Sequence, residues 1–525
     1  MSLDKDLLSI QESRDLAKKA REAQQEFKHF TQEQVDRIVK AMADAGFANA
    51  ERLAKMAADE SGFGKWEDKV IKNQFGTKNV YESIKDIKTV GVIESLNDGK
   101  ILKIAEPMGV VAALVPSTNP TSTAMFKAII SVKCRNGVVA APHPRTVNST
   151  AESLRVLSEA AEKEGAPKGL IQCITNPTIE GTDALMKDKN IAVILATGSN
   201  PMVKAAYSSG KPAYGVGAGN VPAFIERTAN YKKAVKDIIY GTTFDNGTLC
   251  SSEQAIIVDS QLRENVIQEC KNNGGYFTSI EEKALLAKAI LKDGRINPDI
   301  VGKPAVWIAN YAGFSVPSST KVLISECSVV GKADPLSYEK LSPILAFYTV
   351  NGWLEGCHKC IDLLNFGGIG HTMVIHSNDP AIILKFALEK PAFRILVNTV
   401  ASIGAVGYTT SLNPSLTLGP GTWGGSIISE NVTAKHLMNV KYLAFETNPV
   451  NHGDSVSSLS SNKTGSGFID DIEDRLRARA GNPPLSQKYT YDPKVEDNKK
   501  EENKGTTNNI TEAEIQKIIK EFKIY

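Results

Sequence analysis

Of the seven cysteines in this chain, one stands where a thiol could be presented to a ligand. Cys250 closes the run Asp245-Asn246-Gly247-Thr248-Leu249 and is followed by Ser251-Ser252-Glu253-Gln254 and the apolar stretch 255–258. Small, polar, glycine-containing approaches suit a loop that presents a thiol to a ligand. Locally the same pattern also fits a buried structural cysteine, so further residues must decide. Pro116-Ser117-Thr118-Asn119-Pro120 ends one apolar run and opens a helical one. Asn119 there is either a helix N-cap ahead of a first-turn proline or an amide donor for an oxyanion. Ala196-Thr197-Gly198-Ser199 follows another apolar run at the start of a helix, where free backbone N–H groups can receive a pyrophosphate. Gly215-Val216-Gly217-Ala218-Gly219-Asn220 allows backbone to approach a ligand closely. Cys357-His358-Lys359-Cys360 has no second ligand pair at metal-binding spacing and lies on a helical pattern, so no metal is expected. Cys134, Cys173, Cys270 and Cys327 read as small core residues.

The elements that must position these groups follow from hydrophobic period. The helix 6–27 carries Leu16, Ala20, Ala23 and Phe27 on one stripe, and Thr31 with Gln34 forms a capping box for the next. Apolar runs flank Asn97-Asp98-Gly99, which predicts a hairpin over 89–106. From Gly109 onward, strands at 109–115, 138–141, 170–174, 191–195 and 212–216 alternate with helices such as 120–133 and 148–163. Strands buried on both faces with crossover helices make a parallel, doubly wound sheet whose ligands sit at the strand carboxyl ends. No GxGxxG follows the first strand, so a standard dinucleotide grip is not predicted. A second α/β region spans 224–427, with a helix at 281–292 and strands at 322–325 and 344–348; one more strand is expected at 436–445.

A chain of 525 residues with 61 basic and 59 acidic side chains has room for two or more domains and no excess of positive charge for nucleic acid. Its longest apolar runs fall far short of the ~20 residues of a membrane span, and the amino terminus lacks a signal core. An odd number of cysteines without a secretion signal argues for free thiols in a reducing cytosol.

Together the motifs resemble the aldehyde dehydrogenase superfamily, in particular its coenzyme A-acylating branch. They are VPSTNPTSTA from Val115, APHPRT from Ala141, ATGS from Ala196, GVGAGNVPA from Gly215, FDNGTLCSSEQ from Phe244, EKLSPIL from Glu339 and FGGIGHT from Phe366. The resemblance covers about 7–445 and implies an α/β fold with two doubly wound domains and a small β oligomerisation element. Its expected divisions are 1–223 for dinucleotide binding, 224–427 for the catalytic thiol and 428–450 for oligomerisation, with the 89–106 hairpin contributing to a homodimer or homotetramer. It implies Cys250 as nucleophile and Asn119 with the Cys250 N–H as oxyanion hole. It further implies Glu339 on the nicotinamide ribose, Thr197, Gly198 and Ser199 at the pyrophosphate, and Gly217 and Gly219 in the cofactor turn. His143 and Arg145 stand where hydrolytic members bind the adenosine ribose with a lysine, and what they contact stays open. His371 belongs to the branch motif, with a structural or a functional part equally open.

Hydrolytic members carry a glutamate where Val216 falls here. Valine cannot deprotonate water, so the expected reaction is NAD-dependent oxidation of acetaldehyde or propionaldehyde to a cysteinyl thioester that coenzyme A then takes. The competing readings are a dehydrogenase releasing free acid, a cofactor-free thiol acyltransferase, and a non-catalytic scaffold. Past Gly481, residues 481–509 lose large aliphatic side chains and read as a flexible linker. Residues 510–525 regain a helical apolar face at Ile515, Ile518, Ile519 and Phe522 behind a Thr511/Glu514 capping box. That segment resembles an encapsulation peptide for microcompartment shell proteins, which would place the chain in a bacterial cytoplasm, within a microcompartment lumen.

Overall fold

The computed structural model describes residues 4–448 and 450; the expected linker and the amphipathic segment 510–525 lie outside the described residues. Helices Lys5–Phe27, Gln32–Ala48, Ala50–Ser61 and Trp66–Gln74 come first. The Thr31 box forms as expected: Thr31 Oγ1 accepts from Gln34 N (3.3 Å) and Gln34 Oε1 accepts from Thr31 N (2.9 Å), an arrangement worth about 1 kcal/mol. The first helix buries Ala20, Ala23 and Phe27 of the predicted stripe, and the stripe continues towards the amino end on residues other than Leu16. Ser9, Ser13 and Ala17 are buried and Leu16 only half so, because a helix packs closely there: a Cβ on Gly181 would lie 1.9 Å from Ser9 Oγ. Small side chains win where two helices approach this nearly.

The hairpin is β1 (Gly91–Leu96) and β2 (Ile101–Pro107), antiparallel about Asn97, Asp98 and Gly99, all at positive φ. Next come β3 (Val110–Val115), β4 (Gly137–Pro142), β5 (Ile171–Cys173), β6 (Ile191–Thr197) and β7 (Ala213–Val216). They form one parallel sheet in the order β5-β4-β3-β6-β7. Alternate residues bury on its two faces: Val111, Ala113 and Val115 in one cluster, Val110, Ala112 and Leu114 in the other. The second sheet is also parallel. It is built from β8 (Val221–Ile225), β9 (Glu253–Asp259) and β10 (Gly275–Phe277). The two-residue strands β11 (Leu291–Lys292) and β12 (Arg295–Ile296) pair only with each other. To the second sheet are added β13 (Val322–Glu326), β14 (Ile344–Val350), β15 (Gly370–His376) and β16 (Ala392–Val397), in the order β10-β13-β14-β9-β8-β15-β16. Finally β17 (Met438–Ala444) runs antiparallel to β2.

Several expected boundaries move, each for a local reason. The strand expected at 436–445 begins at Met438, since His436 sits in a 3-10 turn whose Thr433 N donates to its Nδ1 (2.9 Å). The helix expected to reach Lys292 stops at Ile290, where Asp293 and Gly294 take positive φ and turn the chain into β12. A division at 223/224 would cut β8, all of whose pairing is within the second sheet; the change of sheet falls at Gly217–Asn220. Ile428, Val432, Ala434 and Leu437 pack into a core cluster of the first sheet, so only β17 of the 428–450 region joins the hairpin.

Candidate active site

The first sheet reverses its order between β3 and β6, the place where an open α/β sheet leaves a crevice at the strand carboxyl ends. Asn119 follows β3, Thr197–Ser199 close β6, and His143 and Arg145 follow β4. The chain leaves the carboxyl end of β7 through Gly217–Asn220 directly into the amino end of β8. The amino ends of the second sheet therefore meet the carboxyl ends of the first, and Cys250 lies there, three residues before β9.

Asn119 precedes the helix Pro120–Lys133 without capping it through its side chain. Asn119 is thus the N-cap by position, with Pro120 opening the helix as expected, while its amide is engaged elsewhere. Nδ2 donates to Thr118 Oγ1 (3.1 Å) and, weakly, to Thr248 O (3.4 Å), two residues before Cys250; Oδ1 accepts from Lys72 Nζ (2.5 Å). The Cys250 loop is held under constraint. Asp245 and Asn246 both occupy the left-handed region (φ 49° and 51°), which Asp and Asn tolerate better than most residues. Asp245 Oδ1 accepts from Lys65 N (2.7 Å), its Oδ2 from Lys69 Nζ (2.9 Å), and its own N–H donates to Asp68 (2.7 Å). Asn246 Nδ2 donates to Gly302 O (2.9 Å).

Cys250 is half-buried against an apolar cluster that includes Val216, Phe75 and Leu418. Burial, then the neighbouring Glu339 carboxylate, push its thiol up to about 12, while Arg394 and Lys72 pull the other way. Glu339 is itself pushed up to about 7 by burial, against two backbone N–H donors, Gly219 (2.8 Å) and Asn220. Gly219 is confined: an added Cβ would stand 1.8 Å from Cys250 O and 3.1 Å from His371 Nδ1. Cys250, Asn119, Glu339, Gly219 and His371 thus share one site.

His371 is buried, and burial followed by the Arg394 charge holds its imidazole well below the usual range, hence neutral. Arg394 Nε donates to Thr372 Oγ1 (3.3 Å), which also hydrogen-bonds with His371 Nδ1 (2.9 Å). His371 Nε2 is buried without a partner among the described residues. Arg394 makes its other hydrogen bonds to the carbonyls of Gly370, Gly419 and Ser429. Sequence reading passed over Arg394, Lys69 and Lys72, because nothing in their local spacing marks them, and reached Thr372 only as the last residue of FGGIGHT.

The dinucleotide candidates form a second group joined to the first. Gly198 N donates to Val216 O (3.3 Å), and Ala218 N to Asn200 Oδ1 (3.1 Å). A Cβ on Gly217 would meet Asn200 Oδ1 at 2.0 Å. Ser199 makes no side-chain cap for the helix Asn200–Tyr207, and Gly198–Asn200 is partly to fully exposed. These uncapped N–H groups beside a residue without Cβ fit a pyrophosphate. His143 Nδ1 accepts from Arg145 N (3.1 Å), and the Arg145 guanidinium sits 5.6 Å from the Phe63 ring; neither touches the Cys250 group.

The Glu339–Cys250 proximity has a measurable consequence. Above pH about 7 the carboxylate is charged and opposes the thiolate. In Glu339→Gln that opposition is gone, so the thiol pKa falls and alkylation of Cys250 becomes faster on the alkaline side, with little change below pH about 7. Following modification of the Cys250 peptide against pH tests this; superimposable profiles would mean the two groups do not interact.

The aldehyde dehydrogenase family pattern matches residues 9–275. The bifunctional aldehyde-alcohol dehydrogenase AdhE of Escherichia coli (strain K12) is 46% identical over 441 residues, 83% of this chain and 50% of the relative; the chain spans about half the length of that curated protein. Among solved structures, an acetylating aldehyde dehydrogenase from Geobacillus thermoglucosidasius has a TM-score of 0.85 at 50% identity, covering 86% of this chain and all (100%) of the other. A propionaldehyde dehydrogenase from Rhodopseudomonas palustris, solved with bound propionyl-CoA, has a TM-score of 0.75 at 29% identity, covering 82% and 94%.

Proposed function

The chain belongs to the aldehyde dehydrogenase family, and from that premise we propose that it oxidises a short-chain aldehyde with NAD and delivers the acyl group to coenzyme A. The observation that carries this reading is the setting of Cys250. Asn119 Nδ2 donates to Thr248 O, two residues before Cys250, and Cys250 packs against an apolar cluster that contains Val216. The likeness to an acetylating enzyme and to one holding propionyl-CoA supports the same acceptor.

Cys250 adds through its thiolate to the aldehyde carbon. Because burial and Glu339 make the thiol costly to ionise, only a small reactive fraction attacks, and the proton leaves as the bond forms. Asn119 Nδ2 and the Cys250 N–H receive the oxyanion; the weak Asn119 bond to Thr248 O is the one exchanged for it. NAD when bound supplies an acceptor for the hydride of the tetrahedral carbon, with Thr197, Gly198 and Ser199 holding its pyrophosphate and Gly217 and Gly219 leaving it room. Glu339 would turn to its ribose. A thioester then remains on Cys250, and coenzyme A thiolate displaces the sulfur in a near-balanced exchange that needs no water-activating base. The first sheet serves the dinucleotide and the second the thiol. The hairpin with β17, whose Val440, Tyr442 and Leu443 are exposed, supports a homodimer or homotetramer. Residues 510–525 are the segment for shell proteins of a bacterial microcompartment, a reading that rests on sequence and that grafting them to a fluorescent reporter would test.

One feature favours a second reading, release of free acid: the Glu339 carboxyl lies near Cys250 and burial pushes it up to about 7, in the range of a general base. Two backbone donors already occupy it, which speaks for the acyl-CoA route. The product decides. With acetaldehyde or propionaldehyde and NAD, reduced cofactor beyond a single turnover is expected only when coenzyme A is present, matched mole for mole by acyl-CoA. Sustained turnover to acetate or propionate without coenzyme A would reverse the reading.

A further inference from the structure

Two lysines on the helix Trp66–Gln74 are buried against one carboxylate. Lys69 is 2% exposed and Lys72 4%, and both reach Asp245 Oδ2. Asp245 is already well served without Lys72: Lys69, Thr248 Oγ1 (2.7 Å) and Lys65 N supply its other donors. A second buried cation at that carboxylate is unfavourable in itself, and burial followed by Lys69 repulsion draws Lys72 down to about 8 despite Asp245. What Lys72 alone does is reach Asn119 Oδ1 at 2.5 Å, with Thr248 Oγ1 at 3.1 Å. An ammonium has donors and no acceptor, so it can meet only the oxygen end of the amide. The amide is thereby turned with Nδ2 towards the Thr248–Cys250 backbone.

We propose that Lys72 is a positioning residue for the oxyanion: anchored on Asp245, it grips the Asn119 carbonyl oxygen and so presents the amide N–H to the oxyanion on the carbon bound at Cys250. Its positive charge also polarises the amide, strengthening Nδ2 as a donor when negative charge develops. The inference rests on the acylating reading above and goes beyond it in naming what fixes the donor.

The test is a double-mutant cycle on the full chain, reading reduced-cofactor formation with aldehyde and coenzyme A. Lys72→Met should lower kcat about tenfold or more while leaving KM for NAD nearly unchanged, and Lys72→Arg, which keeps charge and donors, should recover most of it. In an Asn119→Ala background, Lys72→Met should cost nothing further, because the group it positions is absent. Losses that multiply in the double variant, or an unchanged kcat in Lys72→Met, overturn the inference while leaving the acylating reading intact. A wild-type protein that forms no acyl-CoA overturns that reading instead. Should Lys72→Met not fold, Lys72→Arg carries the test: a loss as deep as that of Asn119→Ala overturns it.

Discussion

Cys250→Ala is expected to form neither reduced cofactor nor acyl-CoA, a loss on the order of 10⁴-fold or more, since removal of a covalent nucleophile takes away the whole pathway rather than one interaction. The fold should survive it. The residue is half-buried at the edge of an apolar cluster, and its sulfur closes no hydrogen bond that holds the loop; Asp245, Asn246 and Ser251 do that work, the last through Oγ to Ser402 O (2.7 Å). Melting within a few degrees of the wild type, with NAD still bound, would separate lost chemistry from lost structure. Retained turnover would transfer the nucleophile's part to another residue. None of the other six cysteines has the same setting: Cys134, Cys270, Cys357 and Cys360 are buried, while Cys173 ends the edge strand β5 and Cys327 follows β13.

The second large effect belongs to Asn119→Ala. Truncation removes the side-chain amide that donates to the backbone two residues before Cys250 and should lower kcat by roughly 10²–10³. It also leaves Lys72 without its amide partner, so some thermal stability goes as well. The diagnostic is selectivity. Alkylation of Cys250 by a reagent that develops no oxyanion should proceed at close to the wild-type rate, while aldehyde oxidation collapses. If both fell together, Asn119 would be serving the loop rather than the reaction.

How the site was legible follows from what each signal depends on. The parallel strands β3, β4 and β6 were visible because residues such as Val111, Ala113 and Val115 are buried on one face and Val110, Ala112 and Leu114 on the other, leaving continuous apolar runs. The hairpin was visible because Asn97, Asp98 and Gly99 all occupy positive φ, which few residue types accept. The loop before Cys250 showed itself through residues that tolerate the same strain. Asn119 was ambiguous, since a residue ahead of a helix-opening proline looks like a cap whatever its amide touches. Lys72 and Arg394 were invisible for a different reason. On a helix and on a strand they resemble ordinary charged positions, and only the meeting of the two sheets reveals that they are 4% and 3% exposed beside the thiol. The domain boundary slipped for a related cause: the glycine-rich turn was read for its ligand, although it is also where the chain changes sheet.

The central claim is that an acyl group oxidised on Cys250 waits for a thiol and not for water. The most direct measurement is the intact mass of protein quenched after mixing with propionaldehyde and NAD in the absence of coenzyme A, followed by mapping of the modified peptide. The prediction is one propionyl group on the peptide containing Cys250, formed with one equivalent of reduced cofactor and discharged as propionyl-CoA when coenzyme A is added; Cys250→Ala should stay unmodified. Reduced cofactor accumulating without any adduct, or an adduct lost to propionate as fast without coenzyme A as with it, would contradict the claim.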